Sequence, residues 1–446
     1  MTAPDPLIAR VVAAMKAVDR DRGADAEGAL EWLTAGEGPA VITQARLQEF
    51  LWYYLPTRWM MGTGEHRAVA DALAEALELL GLPRYAAICR SATTAAVLDA
   101  YEQSISRGKA AFRKAFRASG IEPPDLPDFV WGPVMGPHEA HAHNAVTGLL
   151  EMAAAAGDLV PGRRGRQKER EELVRTHLSL ARIELGGASF LDMIRAERLE
   201  HWLSRHNRGR VWPHLLPELA PLLGRPHPPP ADAADDPLPP LRWLLGRLLE
   251  GQALTQTDNL NRAFVQEAST HFGWSDATFF GPPHCEDELV PLRLTHDLAQ
   301  RMKALRRRGK AIYLSPKGRA LLADPGAMWC AAAAQLLPRH GFGAAVGEVA
   351  LALPAVVGPM TGTDICARVQ EAVADLGWHD RDTGAPPDER AVRSGLTAPF
   401  NLLDALNLLT GRRRARLGAE LTPTGRAFSL QALHTRATGP LPPLPR

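Results

Sequence analysis

The densest group of potential metal ligands in this 446-residue sequence is His138-Glu-Ala-His-Ala-His143. Imidazoles three or four positions apart on a helix share one face, as in zinc proteases that also use a neighbouring glutamate as base. His138 and His141 stand in that relation, Glu139 lies between them and His143 follows. A metal-dependent enzyme centred on these three histidines is therefore one reading. The chain offers no identifiable further ligand, and Gly136-Pro137 marks a helix start, where polar residues gather. Other constellations fall short of chemistry. Gly62-Thr-Gly-Glu-His-Arg67 lacks a third glycine and follows no clear strand, so it is no dinucleotide fingerprint. Neither a GxxxxGK[ST] loop nor a GxSxG elbow occurs. His284, His296 and Asp297 have no spacing that assembles a triad. No catalytic residue and no cofactor are assigned, and the expectation is a non-enzymatic protein.

Two clusters of cations offer a different chemistry. Arg301, Lys303, Arg306, Arg307, Arg308, Lys310, Lys317 and Arg319 form the first, and Arg412, Arg413, Arg414, Arg416 and Arg426 the second. Nucleic-acid backbones draw most of their binding energy from such groups, through counterion release. The candidate nucleic-acid-binding residues are Arg306, Arg307, Arg308 and Lys310, with Arg412, Arg413, Arg414 and Arg416. The competing account is that hairpin tips carry charge for solubility and helix ends carry Arg to complement the dipole. A net charge of +1 supplies no global attraction to polyanions. A third run, Arg163 to Arg170, is followed at once by Glu171 and Glu172 and reads as a loop and a solvated helix start.

The elements that would hold the two clusters are duplicated. Gly273-Trp274 recurs as Gly377-Trp378, and Leu298, Met302 and Leu305 recur as Leu402, Leu406 and Leu409, all at one offset of 104 residues. Leu314-Ser-Pro-Lys-Gly-Arg-Ala320 then recurs as Leu421-Thr-Pro-Thr-Gly-Arg-Ala427 at an offset of 107. Three inserted residues between helix and strand are what a hairpin tip tolerates. Asn259 to Phe272 and Asp364 to Leu376 have amphipathic helical spacing and end in Gly, which accepts the left-handed C-cap. Arg306-Arg-Arg-Gly-Lys310 followed by Ala311-Ile-Tyr-Leu314 is a hairpin signature. Ser315-Pro316 and Thr422-Pro423 pair a hydroxyl N-cap with proline at the first helical position. With a helix near Leu241 to Leu249 and a short Ala253-Leu-Thr255 strand, the order is that of a winged helix.

The closing pattern, an apolar strand and then L-S/T-P-x-G-R-A, resembles the wing ending of bacterial winged-helix regulators of the MarR and PadR type. The whole layout also resembles a group of large uncharacterised bacterial proteins. The likeness covers residues 241–435 and implies DNA association. One departure stands out. A DNA-reading helix-turn-helix joins its two helices by ~3–4 residues, whereas about fifteen intervene in each copy, including Gly281-Pro282-Pro283 and Gly384-Ala-Pro-Pro387.

The rest of the chain frames these units. Residues 1–210 read as helices broken at Gly81-Leu-Pro83, Pro123-Pro124 and Val160-Pro-Gly162. Phe50 to Trp59 is aromatic-rich, and with Leu51 and Leu55 at helix spacing it reads as core. A Pro-rich linker is expected over 211–240, winged-helix-like units over 241–335 and 336–435, and a Pro-rich tail over 436–446. Cys89, Cys285, Cys330 and Cys366 show no CxxC spacing and read as reduced thiols. The first 23 residues lack a signal-peptide core, and the apolar run around Ala327 to Pro338 is short of the ~18 residues that span a bilayer. A cytoplasmic protein without membrane partners is expected.

The fold class expected is thus mainly α: an all-helical N-terminal domain followed by two tandem winged-helix-like units. The function expected is DNA-associated regulation through cationic wings, the N-terminal domain sensing or dimerising. A protein-assembly adaptor that uses the units as docking modules is the alternative, and the long inter-helix loops favour it. The partner is DNA or another protein.

Overall fold

The computed structural model describes residues 5–159, 167–274, 281–410 and 420–441. The chain is mainly α, with one small sheet among the described residues, and divides into two compact units. Unit 1 comprises Met1–Trp131 and Pro137–Met193; unit 2 comprises Gly132–Gly136 and Ile194–Arg446. No helix among the described residues is long and apolar enough to cross a membrane.

Unit 1 opens with α1 (Pro6–Val18), α2 (Arg20–Thr34) and α3 (Gln44–Glu49). A π-helical turn, Phe50–Tyr54, leads into α4 (Leu55–Arg58) and α5 (Thr63–Leu79). Then follow α6 (Pro83–Cys89), α7 (Ala92–Gln103), α8 (Ile105–Ala118), α9 (Pro137–Ala156) and α10 (Gln167–Ser179). Side chains start these helices locally: Asp5, Asp19, Thr43, Ser91 and Ser104 each accept from a backbone N–H of the first turn. The aromatic stretch is core, with Phe50, Leu51 and Leu55 sealed from solvent. Buried Glu151 of α9 ties three elements together. Its carboxylate accepts from the Gln44 N–H at 2.9 Å and the Tyr85 hydroxyl at 2.5 Å, and Arg84 lies 3.7 Å away.

Unit 2 begins in α11 (Phe190–His206) and continues through α12 (Val211–Leu223) and α13 (Pro239–Arg247). The first copy adds β1 (Gln252–Ala253), α14 (Arg262–Phe272), α15 (Val290–Arg301), β2 (Leu305–Arg308), β3 (Ala311–Leu314) and α16 (Pro316–Ala323). After α17 (Pro325–Ala333) come α18 (Phe342–Val356), α19 (Gly362–Asp375), α20 (Glu389–Ala405) and α21 (Pro423–Ala437). The sheet is antiparallel in the order β1-β3-β2, which leaves β2 at an edge.

Residues 211–240 do not form the expected bare linker. Val211, Trp212, Leu215, Leu219 and Leu223 recur at helical spacing and make α12 a core helix. Pro217 and Pro221 lie inside it on its exposed side, where water can bond the carbonyls that proline leaves unpaired. The proline-rich stretch beyond is strapped down. Extended backbone without internal hydrogen bonds leaves its groups free for side chains: Trp329 Nε1 donates to the His227 carbonyl at 2.8 Å, and the His227 N–H donates to Gln431 Oε1 at 2.7 Å. Leu238 is fully buried. The expected tail also begins in contact, Leu441 bridging to Val134.

The duplication holds in backbone detail. Leu305 pairs with Leu314 at the base of the first hairpin, and the equivalent Leu409 bridges to Leu421. The insertion therefore falls between Leu409 and Leu421 in sequence. Each third helix ends in a left-handed residue, Lys303 at φ 56° and Asn407 at φ 61°. The same Schellman pair follows: Ala304 N–H to Ala299 O at 3.0 Å, and Leu408 N–H to Leu403 O at 2.9 Å. Gly318 and Gly425 sit where a Cβ would lie 2.1 and 2.0 Å from the Ala304 and Leu408 carbonyl oxygens. Nothing but glycine fits there. The tryptophans differ more. Trp274 is buried and stacks on Phe272 at 4.7 Å, whereas half-buried Trp378 meets Phe342 edge-on at 5.7 Å.

Candidate functional site: paired third helices and a cationic hairpin

The first hairpin turns at Gly309-Lys310 between the facing residues Arg308 and Ala311. Gly309 takes φ 59°, the positive value that a glycine-first two-residue turn needs. Strand alternation then sorts the cations. Arg306 and Arg308 lie opposite Tyr313 and Ala311 on one face; Arg307 lies opposite buried Ile312 on the other. Arg307 Nη1 reaches Asp258 at 2.5 Å, and Lys310 Nζ reaches the same carboxylate at 2.9 Å. Hydrogen bonds from Lys310 and Arg307 hold the Asp258 carboxyl below the usual aspartate range. Arg306 and Arg308 remain exposed, with no ion pair among the described residues.

The predicted cluster is therefore divided. Of the four candidate binding residues, Arg307 and Lys310 are partly neutralised, and Arg306 and Arg308 are displayed at a sheet edge, where charge also prevents edge-to-edge pairing. Arg301 turns its Nη1 to the Gln335 carbonyl at 2.8 Å. In the second cluster, Arg412, Arg413, Arg414 and Arg416 lie outside the described residues. Arg426, expected beside them, instead donates from Nε to the Ala355 carbonyl at 2.8 Å.

The third helices, α15 and α20, pack against each other. On α15, Leu292, Thr295, His296, Leu298 and Ala299 are buried, leaving a narrow outer stripe that includes Arg293, Asp297 and Arg301. On α20 the exposed positions include Arg390, Ser394, Thr397 and Asn401, and Arg393 is taken by Glu389 at 2.5 Å. Beyond Glu389 and Arg390 the exposed positions of α20 are uncharged, whereas α15 shows Arg293 and Arg301 on either side of Asp297. The α20 face lacks the cations that a phosphate-flanked groove demands.

The loop between the second and third helices of the first copy is anchored by a polar pair that spacing alone did not single out. Glu286 and His296 form a buried pair at 2.6 Å, and the other Glu286 oxygen accepts the Leu260 N–H at 2.7 Å. His296 thus joins Glu286 and not a triad with His284 and Asp297. A second buried acid, Glu348, sits in α18 amid an otherwise apolar run. It bonds His206 Nε2 at 2.8 Å and Arg436 Nε at 2.6 Å. The other His206 nitrogen contacts the Trp202 carbonyl at 2.7 Å, and its ring stacks on Trp202 at 3.9 Å. A lone acid within Ala344–Ala355 was the available signal.

The histidine cluster of unit 1 does not converge on a metal. Its side chains diverge along α9: His143 meets the Trp131 edge at 5.0 Å, and His141 meets Phe190 at 5.6 Å. His138 is exposed. Among the described residues, no group of three His, Cys, Asp or Glu side chains can hold a metal ion. Burial lowers the His143 pKa, a consequence of packing, only partly opposed by Glu139.

The comparisons fall on the first copy. Residues 247–327, from just before β1 to just beyond α16, match the family described as the Y4jL N-terminal domain. No curated protein and no solved structure matches the chain.

Proposed function

We propose that unit 2 is a tandem of two winged-helix-type modules fused into a protein-docking scaffold. The packing of α15 on α20 carries this reading. A winged-helix regulator of the MarR or PadR kind lays its third helix in the major groove, which is ~12 Å wide and admits one helix. Two helices at an interaxial distance of ~8–10 Å make a body nearly twice that width. The outer stripe of α20 is polar and nearly neutral, which suits a protein partner better than a polyanion. Unit 1 then senses or dimerises. A cytoplasmic setting fits four cysteines that form no disulfide.

Two experiments bear on the scaffold. Selection from a random duplex library should enrich no base motif; a reproducible motif defeats the reading. Affinity purification in high salt should recover a stoichiometric partner, lost when Thr397→Arg and Asn401→Arg are combined. Recovery of no salt-resistant partner also counts against it.

A second reading, DNA-associated regulation, rests on Arg306 and Arg308. Both are exposed with no ion pair among the described residues and would touch backbone phosphates, together with Arg412, Arg413, Arg414 and Arg416, which lie outside the described residues. Removing Arg306 and Arg308 should then reduce the salt dependence of duplex binding by about 2 in log–log slope, roughly 0.9 per phosphate contact. An unchanged slope excludes the hairpin.

A further inference from the structure

A denser cationic surface than the first hairpin lies in unit 1. Helix α8 reads ISRGKAAFRKAFRA: Arg107, Lys109, Arg113, Lys114 and Arg117 with no acid. All five are exposed. At 100° per residue they occupy one half of the helix circumference, while Ala111, Phe112, Ala115 and Phe116 occupy the other and pack on the core of unit 1. The seating is close. A Cβ at Gly108 would fall 2.2 Å from the Tyr101 ring, so α8 lies directly on that side chain. The cations therefore stand on a fixed rod.

Little nearby neutralises them. Arg117 and Glu122 are 4.0 Å apart, Arg107 donates to the neutral Gln103 amide, and Lys109 lies 6.0 Å from the Tyr53 ring centroid. Arg113 and Lys114 have no ion pair among the described residues. On the neighbouring α7, Asp99 is taken by Arg67, and Glu102 is exposed.

We propose that the outward face of α8 binds the phosphate backbone of nucleic acid, independently of unit 2. Charge spacing favours this occupant. Arg107 to Arg117 spans ~15 Å at 1.5 Å per residue, and a duplex carries one negative charge per ~1.7 Å of its axis, hence about nine over that length. Five exposed cations on one half of a fixed helix suit that charge density. A membrane surface is a poorer fit, because an interfacial helix buries its apolar face in lipid. Here Phe112 and Phe116 face the core instead.

The test uses the full chain and a fluorescein-labelled random-sequence duplex of about twenty base pairs, read by anisotropy. Binding should weaken about 60-fold from 50 to 200 mM salt, the loss for a log–log slope near −3. Combining Arg113→Gln, Lys114→Gln and Arg117→Gln should reduce that slope by two to three, while Arg113→Lys with Arg117→Lys restores it. The Arg306→Ala, Arg308→Ala protein should keep the α8 contribution, which separates this surface from the hairpin. Unaltered circular dichroism and melting show that each variant folds. Three results overturn the proposal: no duplex binding, an unchanged slope in the glutamine variant, or tighter binding to phosphatidylserine vesicles or polyglutamate than to duplex.

Discussion

The two copies in unit 2 share a backbone device and differ in their polar interior. Each ends its third helix in a left-handed residue, brings a leucine pair into antiparallel contact and presses a glycine onto the carbonyl after the turn. Their buried acids are placed differently. Glu286 sits in the loop of the first copy beside His296, whereas Glu348 sits in the first helix of the second, between His206 and Arg436. What has been duplicated is a chain path fixed by local sterics. The buried charge differs between the copies: Glu286 is answered within its own copy by His296 and the Leu260 N–H, and Glu348 by His206 of α11, which precedes the repeat, with Arg436.

The largest effect should come from the acids. Glu348→Ala leaves Arg436 and His206 facing an empty interior and should cost about 3–5 kcal/mol, the usual penalty for breaking a buried ion pair. Glu286→Ala takes the carboxylate partner from His296 Nδ1 and from the Leu260 N–H, and should cost about 1–3 kcal/mol. Urea midpoints followed by tryptophan fluorescence give the order. Equal losses would erase the distinction.

Next come the glycines. Gly318→Ala and Gly425→Ala each drive a Cβ into a backbone carbonyl, and each should cost about 1–3 kcal/mol from overpacking. Similar values in the two copies are expected. A tolerated alanine at one position would mean that its turn is looser than its twin.

Acid should expose Glu348 selectively. Burial alone would raise its pKa, but the hydrogen bond and charge of His206, with Arg436, bring it below 4.5. A carboxyl depressed in the folded state contributes stability above its unfolded pKa and loses it as pH falls through the folded value. Wild-type unfolding midpoints should therefore decline below about pH 4.5. In Glu348→Gln that part of the decline should vanish. An identical acid limb in both proteins would place the sensitivity elsewhere.

The smallest effect sharpens the comparison most. Lys303 and Asn407 occupy equivalent left-handed positions. A Cβ is disfavoured there, and asparagine bears it better than lysine. Lys303→Gly should stabilise by up to about 1 kcal/mol and Asn407→Gly by less. Equal gains would show that the asparagine side chain contributes nothing.

Local order was legible wherever short-range physics decides it. Gly273 and Gly377 announced helix ends, Ser315-Pro316 and Thr422-Pro423 announced helix starts, and the two offsets located the insertion. Candidate sites were less legible. The histidines of α9 have a zinc-like spacing, yet spacing cannot say that Trp131 and Phe190 claim two of the rings. The five cations of α8 were in plain view but scattered among alanines and phenylalanines, so they did not read as a run until the helix gathered them onto one face.

By itself the sequence determined the duplicated path, the mainly helical class and the cationic hairpin, because turns, caps and periodicity depend on neighbours a few residues apart. Only the tertiary structure decided that α15 faces α20, that Asp258 takes Arg307 and Lys310, and that the proline-rich stretch is tied to Trp329 and Gln431. The reason is physical: an amphipathic pattern states that a face must be covered, and carries no information about which distant segment covers it.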